Sequence, residues 1–163
     1  MKRLAIGLFL ILSISAAASA ATVEFKDEGF TLEIPTNYTF MNNDGDLMIQ
    51  TDIPGIAFGL EKSSMPWKDI LNGTAEAYIM EGNLLAFKTS VVTASVVTNN
   101  GIAFHTAEIM KYSPKNPDVA SEVFIAYFQV KKGVYRLVFE TSSQFYPGAV
   151  SVVKSFLTGI SKF

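Results

Sequence analysis

Two apolar runs near the C-terminus predict a buried β-hairpin. The first run, Val123 to Val130, is apolar at every position except Gln129 and rich in β-branched and aromatic side chains. This composition is typical of a strand that is covered on both faces. The second run, Val134 to Glu140, alternates, with one apolar face at positions 135, 137 and 139. The connection ends in Gly133, a residue that supplies the positive φ such turns require.

The apolar period changes from two residues to 3.6 after this hairpin. The change predicts an amphipathic helix that closes the hairpin. Its apolar stripe consists of Tyr146, Val150, Val153, Leu157 and Ile160, with Phe156 beside it.

Six further strands are predicted upstream. The first two flank a turn at Gly29, and the last two form a meander with the C-terminal hairpin, since short links favour antiparallel pairing. The six are Thr22–Lys26, Phe30–Ile34, Leu47–Thr51, Ile56–Glu61, Ser90–Thr98 and Ile102–Tyr112.

A single helix is predicted between Pro66 and Gly82, with Ser63 or Ser64 as its cap. Its apolar stripe consists of Trp67, Ile70, Leu71, Thr74 and Tyr78.

The first 20 residues have the order of a secretory signal peptide. Lys2 and Arg3 precede an apolar core from Leu4 to Leu12, and Ala18-Ser19-Ala20 is a small-x-small cleavage site. A membrane anchor is the alternative, but the apolar core is far shorter than the roughly 20 residues that span a bilayer. We therefore expect residues 1–20 to be a signal peptide cleaved after Ala20, and residues 21–163 to form a single domain.

Composition narrows the classes of partner. Without Lys2 and Arg3 the chain keeps 11 basic and 15 acidic side chains, a net charge of −4, which argues against nucleic acid. The chain has no cysteine, so it has neither disulfides nor a lipobox cysteine that could carry a lipid anchor. The sequence thus predicts a soluble periplasmic or secreted protein.

The segment Asp27-Glu-Gly-Phe-Thr-Leu-Glu-Ile-Pro35, followed by Asn37-Tyr38, resembles the opening of PsbP-like proteins. The order of the remaining elements agrees: a helix, a four-strand meander, an aromatic-rich hairpin, and a closing helix that carries Ser155-Phe156. The chain also resembles the bacterial periplasmic DcrB-like proteins of that superfamily.

This resemblance implies an α+β fold, an α/β/α sandwich in which helices pack on both faces of an antiparallel sheet. It also implies a non-catalytic accessory protein that binds another periplasmic or membrane-associated protein, or a small ligand. No active-site residues are shared across the superfamily, so the resemblance assigns no catalytic, cofactor-binding or metal-binding residue and no cofactor.

A hydrolase is the alternative function. His105 is the only histidine, and Glu108 and Glu122 could orient it as a general base. An ordinary sheet histidine is the simpler interpretation, because a lone titratable residue is weak evidence of a site. The sequence contains no Gly-x-Ser-x-Gly elbow.

Two other groups of residues could have a function. Asp44, Asp46 and Asp52 suggest a calcium loop, but their spacing departs from the EF-hand pattern, and a turn is expected instead. Some aromatic side chains could border an exposed partner surface, although the core is the expected place for any single one. These are Tyr38, Phe40, Tyr127, Tyr135, Phe145 and Tyr146.

Overall fold

The chain folds into three layers around a large antiparallel sheet. The computed structural model describes residues 20–43, 46–82, 84–116 and 119–163. The predicted signal peptide, apart from Ala20, lies outside this part of the chain. The described elements are β1 (Ala21–Phe25), β2 (Phe30–Ile34), β3 (Thr39–Asn43), β4 (Asp46–Gln50), β5 (Ala57–Ser63), α1 (Trp67–Asn72), α2 (Thr74–Glu81), β6 (Lys88–Asn99), β7 (Ile102–Tyr112), β8 (Ala120–Val130), β9 (Gly133–Ser142), α3 (Tyr146–Phe156) and β10 (Ile160–Lys162).

The middle layer is a seven-stranded sheet in the order β3-β4-β5-β9-β8-β7-β6. All its neighbouring strands are antiparallel, and β6 to β9 form the predicted meander. Residues Val123 to Phe128 of β8 are buried without interruption, whereas Gln129 is exposed. The expectation of a strand covered on both faces is therefore confirmed.

One face of this sheet is covered by α3 together with a second sheet of three strands, β1-β2-β10. Their apolar side chains form one core with the large sheet, in which Phe30 stacks on Phe25 and packs edge-on against Phe128. The other face is covered by α1 and α2, with Ile70 and Tyr78 in a separate core. Helices on both faces confirm the α+β sandwich. The hairpin of β1 and β2 was predicted, whereas its place in a separate sheet with β10 was not.

The helix expected from Pro66 to Gly82 is two helices. Gly73 lies between them in extended conformation, with φ −177° and ψ 104°. Glycine is a poor helix former, because its backbone loses the most freedom on ordering. The break leaves Leu71, a predicted core residue, exposed. The predicted cap is also wrong, because Pro66 occupies the N-cap position of α1 and no side chain caps that helix.

The C-terminal helix ends at Phe156, four residues earlier than Ile160, the last residue of its predicted stripe. A short 3₁₀ turn, Leu157–Gly159, follows, and Ile160 is buried in β10 opposite Leu32 of β2. A Cβ atom on Gly159 would lie 2.9 Å from the carbonyl oxygen of Glu33. Only glycine allows this approach, which places β10 beside β2.

One strand of the large sheet was not predicted from the sequence. β3, Thr39–Asn43, pairs with β4, and residues 44 and 45 between the two strands lie outside the described part. In the described part of the chain, no helix combines the length and the apolar character needed to cross a membrane.

Candidate functional site

The hydrolase alternative requires His105 to meet Glu108, and the sheet separates them. His105 lies on the face of β7 that carries α1, and its ring packs edge-on against Trp67 with centroids 5.0 Å apart. Glu108 is an odd number of residues away, so it projects from the opposite face. Glu122 is paired with Met110 and so lies on the Glu108 side. The three side chains therefore do not form a common site.

Glu108 instead anchors α3 to the sheet. Its Oε2 accepts a hydrogen bond of 2.9 Å from the hydroxyl of Tyr146, and its Oε1 lies 2.6 Å from Nζ of Lys154. Burial, together with the nearby Glu108 carboxylate, raises the pKa of Tyr146 far above its ordinary value. Lys154 lies in the last turn of α3, where a cation also opposes the negative end of the helix dipole. The contacts of Glu108 thus account for its position without a catalytic role.

A buried ionic cluster that the sequence did not indicate lies on the other face. Its centre is Glu81, the last residue of α2, whose Oε2 lies 2.6 Å from Nη1 of Arg136 on β9. Oε1 of Glu81 accepts hydrogen bonds from Ser64 N at 2.7 Å and Ser63 Oγ at 2.9 Å. The hydroxyl of Tyr127 donates to Oε2 at 2.9 Å. The side chains of Glu81 and Arg136 are only 7% and 14% exposed.

The electrostatics of this Glu81 cluster favour the ionised carboxylate. Burial opposes ionisation, but the Ser64 N–H, the Arg136 guanidinium and the Tyr127 hydroxyl outweigh it, so the pKa of Glu81 lies below its ordinary value. Burial and the Glu81 charge raise the pKa of Tyr127. Burial, followed by the charge of Glu140, raises the pKa of the neighbouring Tyr78 to about 12.

The Glu81 cluster joins four elements of the fold. Both carboxylate oxygens of Glu81 already have protein partners, and Nη2 of Arg136 also reaches Glu61 at 3.0 Å. The cluster therefore links the end of α2 to β5, β8 and β9. Ser63 and Ser64 were predicted as alternative caps of the first helix, but they donate hydrogen bonds to Glu81 instead. The one feature of the sequence that could have pointed to the cluster is Arg136, the only arginine apart from Arg3.

The acidic loop residues have separate partners. Oδ1 of Asp46 accepts the backbone N–H of Lys62 at 3.0 Å, and Oδ2 of Asp52 accepts from Asn37 at 2.7 Å. Asp46 begins β4, whereas Asp52 follows its other end. Asp44 lies outside the described residues. Among the residues that are described, no three ionisable side chains converge as metal ligands would.

Most of the aromatic residues considered for a partner surface belong to the core. Tyr127, Tyr135 and Tyr146 are buried, and Tyr38 and Phe40 are half-buried against the same core. Phe145 is the exception, with 66% of its surface exposed.

A pair of methionines adds to the exposed apolar surface. Met41 on β3 and Met48 on β4 are directly paired across the two strands. They are 68% and 49% exposed, and Gly59 of β5 lies beside Met48. No periodicity of the sequence indicated this pair, because β3 was not recognised as a strand.

Two surface depressions of the described residues are shallow and open. One, of about 350 Å³, lies between Gly29, Lys131 and Phe163. Another, of about 210 Å³, lies beside α2 near Asp69 and Glu76. Neither contains His105 or the Glu81 cluster.

Comparison with solved structures identifies the fold as PsbP-like. The cyanobacterial PsbP protein, CyanoP, of Synechocystis sp. PCC 6803 matches with a TM-score of 0.60 at 10% identity, over 94% of this chain and 99% of that one. LpqN, described as involved in cell envelope biogenesis of Mycobacterium tuberculosis, matches with a TM-score of 0.52 at 12% identity, over 90% and 91%. PA94 of Pseudomonas aeruginosa, a protein of unknown function, has a TM-score of 0.52 at 11% identity, over 86% and 94%.

At these identities the likeness concerns the fold alone. No protein-family model and no curated protein sequence matches the chain. The expected resemblance to PsbP-like proteins is confirmed at the level of structure. The match covers most of this chain and nearly all of each of these three structures.

Proposed function

We propose that this protein is a periplasmic or secreted accessory protein that acts by binding another protein. The proposal rests on one observation: the buried ionisable groups stabilise the fold, and apolar side chains are left on the surface. Glu81, Glu108 and Arg136 hold the layers of the fold together, while large apolar side chains such as Phe145 and Met41 are exposed. Contiguous exposed apolar groups, such as the paired Met41 and Met48, are typical of partner surfaces.

The shape of the surface supports a protein partner over a small ligand. Small-molecule sites are usually enclosed clefts of several hundred cubic ångströms with convergent polar groups. The depressions near Gly29 and Asp69 are open and not lined by such a set. Such open depressions fit a flat protein surface better than they fit a small ligand. The accessory role also agrees with LpqN, which shares the fold and is described as involved in cell envelope biogenesis.

The hydrolase alternative is tested by complementation of a strain that lacks the gene. We expect His105→Ala to restore the wild-type phenotype, because its ring packs on Trp67 and not on Glu108. We expect Phe145→Ser to impair complementation, because exposed aromatic residues often dominate binding energy. Phe145 precedes α3 and its side chain lies largely in solvent, so the fold should tolerate the change.

Melting curves of both variants provide the control, since a lost core contact can imitate a lost interface. If His105→Ala kept its melting temperature yet abolished complementation, the accessory role would be wrong and the hydrolase would replace it. Export is tested separately by the intact mass of periplasmic protein, which should begin at Ala21. A species that retains Met1 would contradict a soluble periplasmic location.

A further inference from the structure

Strand β6 leaves one long edge of the seven-stranded sheet open. Its inner edge pairs with β7, and no described strand lies along its outer edge. It contains 12 residues, whereas β3 at the opposite edge contains five. An open edge presents unpaired N–H and C=O groups that another strand can bind.

The usual protection of such an edge is nearly absent from β6. Between Thr89 and Asn99 there is neither a charged residue nor a proline, the two residue types that commonly block edge pairing. One bulge interrupts the pairing with β7 at Val92. Side chains on both faces are exposed, Val96 to 58% and Val97 to 40%. A partner strand could therefore extend both faces of the sheet.

We propose that a second copy of this chain adds to the sheet through β6, in antiparallel orientation about a two-fold axis at Ala94. The residues from Thr89 to Thr98 read Thr-Ser-Val-Val-Thr-Ala-Ser-Val-Val-Thr. Because the bulge leaves Val92 out of the pairing, the mirror order holds on one sheet face, where Thr-Val-Ala-Val-Thr reads the same in both directions from Ala94. A symmetric dimer requires such a self-complementary surface, because the same patch serves both partners.

The register can be followed through the bulge. Pairing with β7 places five β6 residues on the sheet face that carries α1 and α2: Thr89, Val91, Ala94, Val96 and Thr98. An axis through Ala94 then brings Val91 of each copy beside Val96 of the other, on either side of two facing alanines. On the opposite face Thr93 meets Ser95. Valine–valine and hydroxyl–hydroxyl neighbours are favourable cross-strand pairs.

The β6 edge is also held in position before any partner binds. The side chain of Asn100, in the turn after β6, donates to the carbonyl oxygens of Thr158 at 2.7 Å and Ile160 at 3.2 Å. A fixed strand loses little conformational entropy on pairing. A ladder along β6 would form about ten hydrogen bonds, the number in an ordinary protein interface. We expect a dimer that forms in the micromolar range.

Sedimentation equilibrium of the exported chain tests the proposal. The wild type should shift from monomer to dimer as its concentration increases to about 0.1 mM. Ala94→Lys places two ammonium groups together at the axis, so it should weaken the dimer at least about tenfold. Met41→Lys, at an exposed site on the other edge strand, is the control and should leave the dimer intact. Melting curves recorded at a concentration too low for the dimer should coincide, which would show that all three proteins remain folded.

Cysteine cross-linking tests the register. The chain has no cysteine of its own, so one introduced residue reports a single position. Ala94→Cys should oxidise to a covalent dimer, because facing residues at a two-fold axis come within the reach of a disulfide. Val91→Cys alone should cross-link much less, since it faces Val96. A wild type that remains monomeric at about 0.1 mM, or a dimer that Ala94→Lys leaves intact, would overturn the proposal.

Discussion

Replacing Glu81 by alanine should destabilise this protein more than any surface substitution. The change removes the carboxylate that pairs with Arg136 at 2.6 Å and accepts hydrogen bonds from Ser64 N and the Tyr127 hydroxyl. Removing one partner of a buried ion pair costs about 3–5 kcal/mol, because the other charge remains buried without compensation. Glu61 still contacts Arg136 and is partly exposed, so we expect the lower end, about 3 kcal/mol.

Glu81→Gln separates charge from shape. The amide retains an acceptor for the Ser64 N–H but loses the charge that attracts Arg136. We expect a loss of about 1–2 kcal/mol, which lies between a neutral hydrogen bond and a charged one. Glu76→Gln is the matched control, because it is an exposed glutamate on the same helix and should change stability by no more than about 0.5 kcal/mol.

Urea unfolding followed by the fluorescence of Trp67, the only tryptophan, measures these differences. The slope of the transition should be equal in all variants, so that the midpoint alone reports stability. A loss of unfolding free energy below about 1 kcal/mol for Glu81→Ala would refute the reasoning, because it is too small for a buried Arg136 charge left without its partner. It would mean that water reaches Arg136 in the variant.

The same cluster predicts a pH dependence. The pKa of Glu81 is lowered in the folded state below its ordinary value of 4.5. The stabilisation is therefore complete above that value and is lost as the pH falls through the folded-state pKa. The difference between wild type and Glu81→Gln should narrow below about pH 4.5. A difference that stays constant down to pH 3 would contradict this.

Three further outcomes are expected. In an alkaline absorbance titration, Tyr127 and Tyr146 should ionise only when the fold is lost, because their raised pKa values make the folded state lose stability above about pH 10; early ionisation of all six tyrosines would contradict their burial. Gly159→Ala should destabilise by about 1–3 kcal/mol through its clash with β2, whereas Gly148→Ala in α3, which meets no atom within 4 Å, should be neutral or stabilising in the same urea assay. A chelator should leave the melting temperature unchanged, and a drop of several degrees would direct attention to Asp46.

Elements that are determined by residues close together in the sequence could be predicted from it. The unbroken apolar run of β8 required burial on both faces, and the alternation of β9 assigned Leu137 and Arg136 to opposite faces, as the structure has them. These patterns succeed because side-chain direction along a strand repeats every two residues. The same rule separates His105 from Glu108 on β7, and the hydrolase alternative overlooked it.

Contacts between distant residues were decided by the tertiary structure. Glu81 and Arg136 are 55 positions apart, and Leu32 and Ile160 are 128 positions apart, so no local period connects either pair. Their meeting depends on the strand order and on the side of the sheet to which each helix returns. The end of α3 depends likewise on Gly159 fitting against Glu33. Local periodicity therefore determined which face each residue of β7, β8 and β9 presents, whereas the chain path between layers decided which of those faces meet.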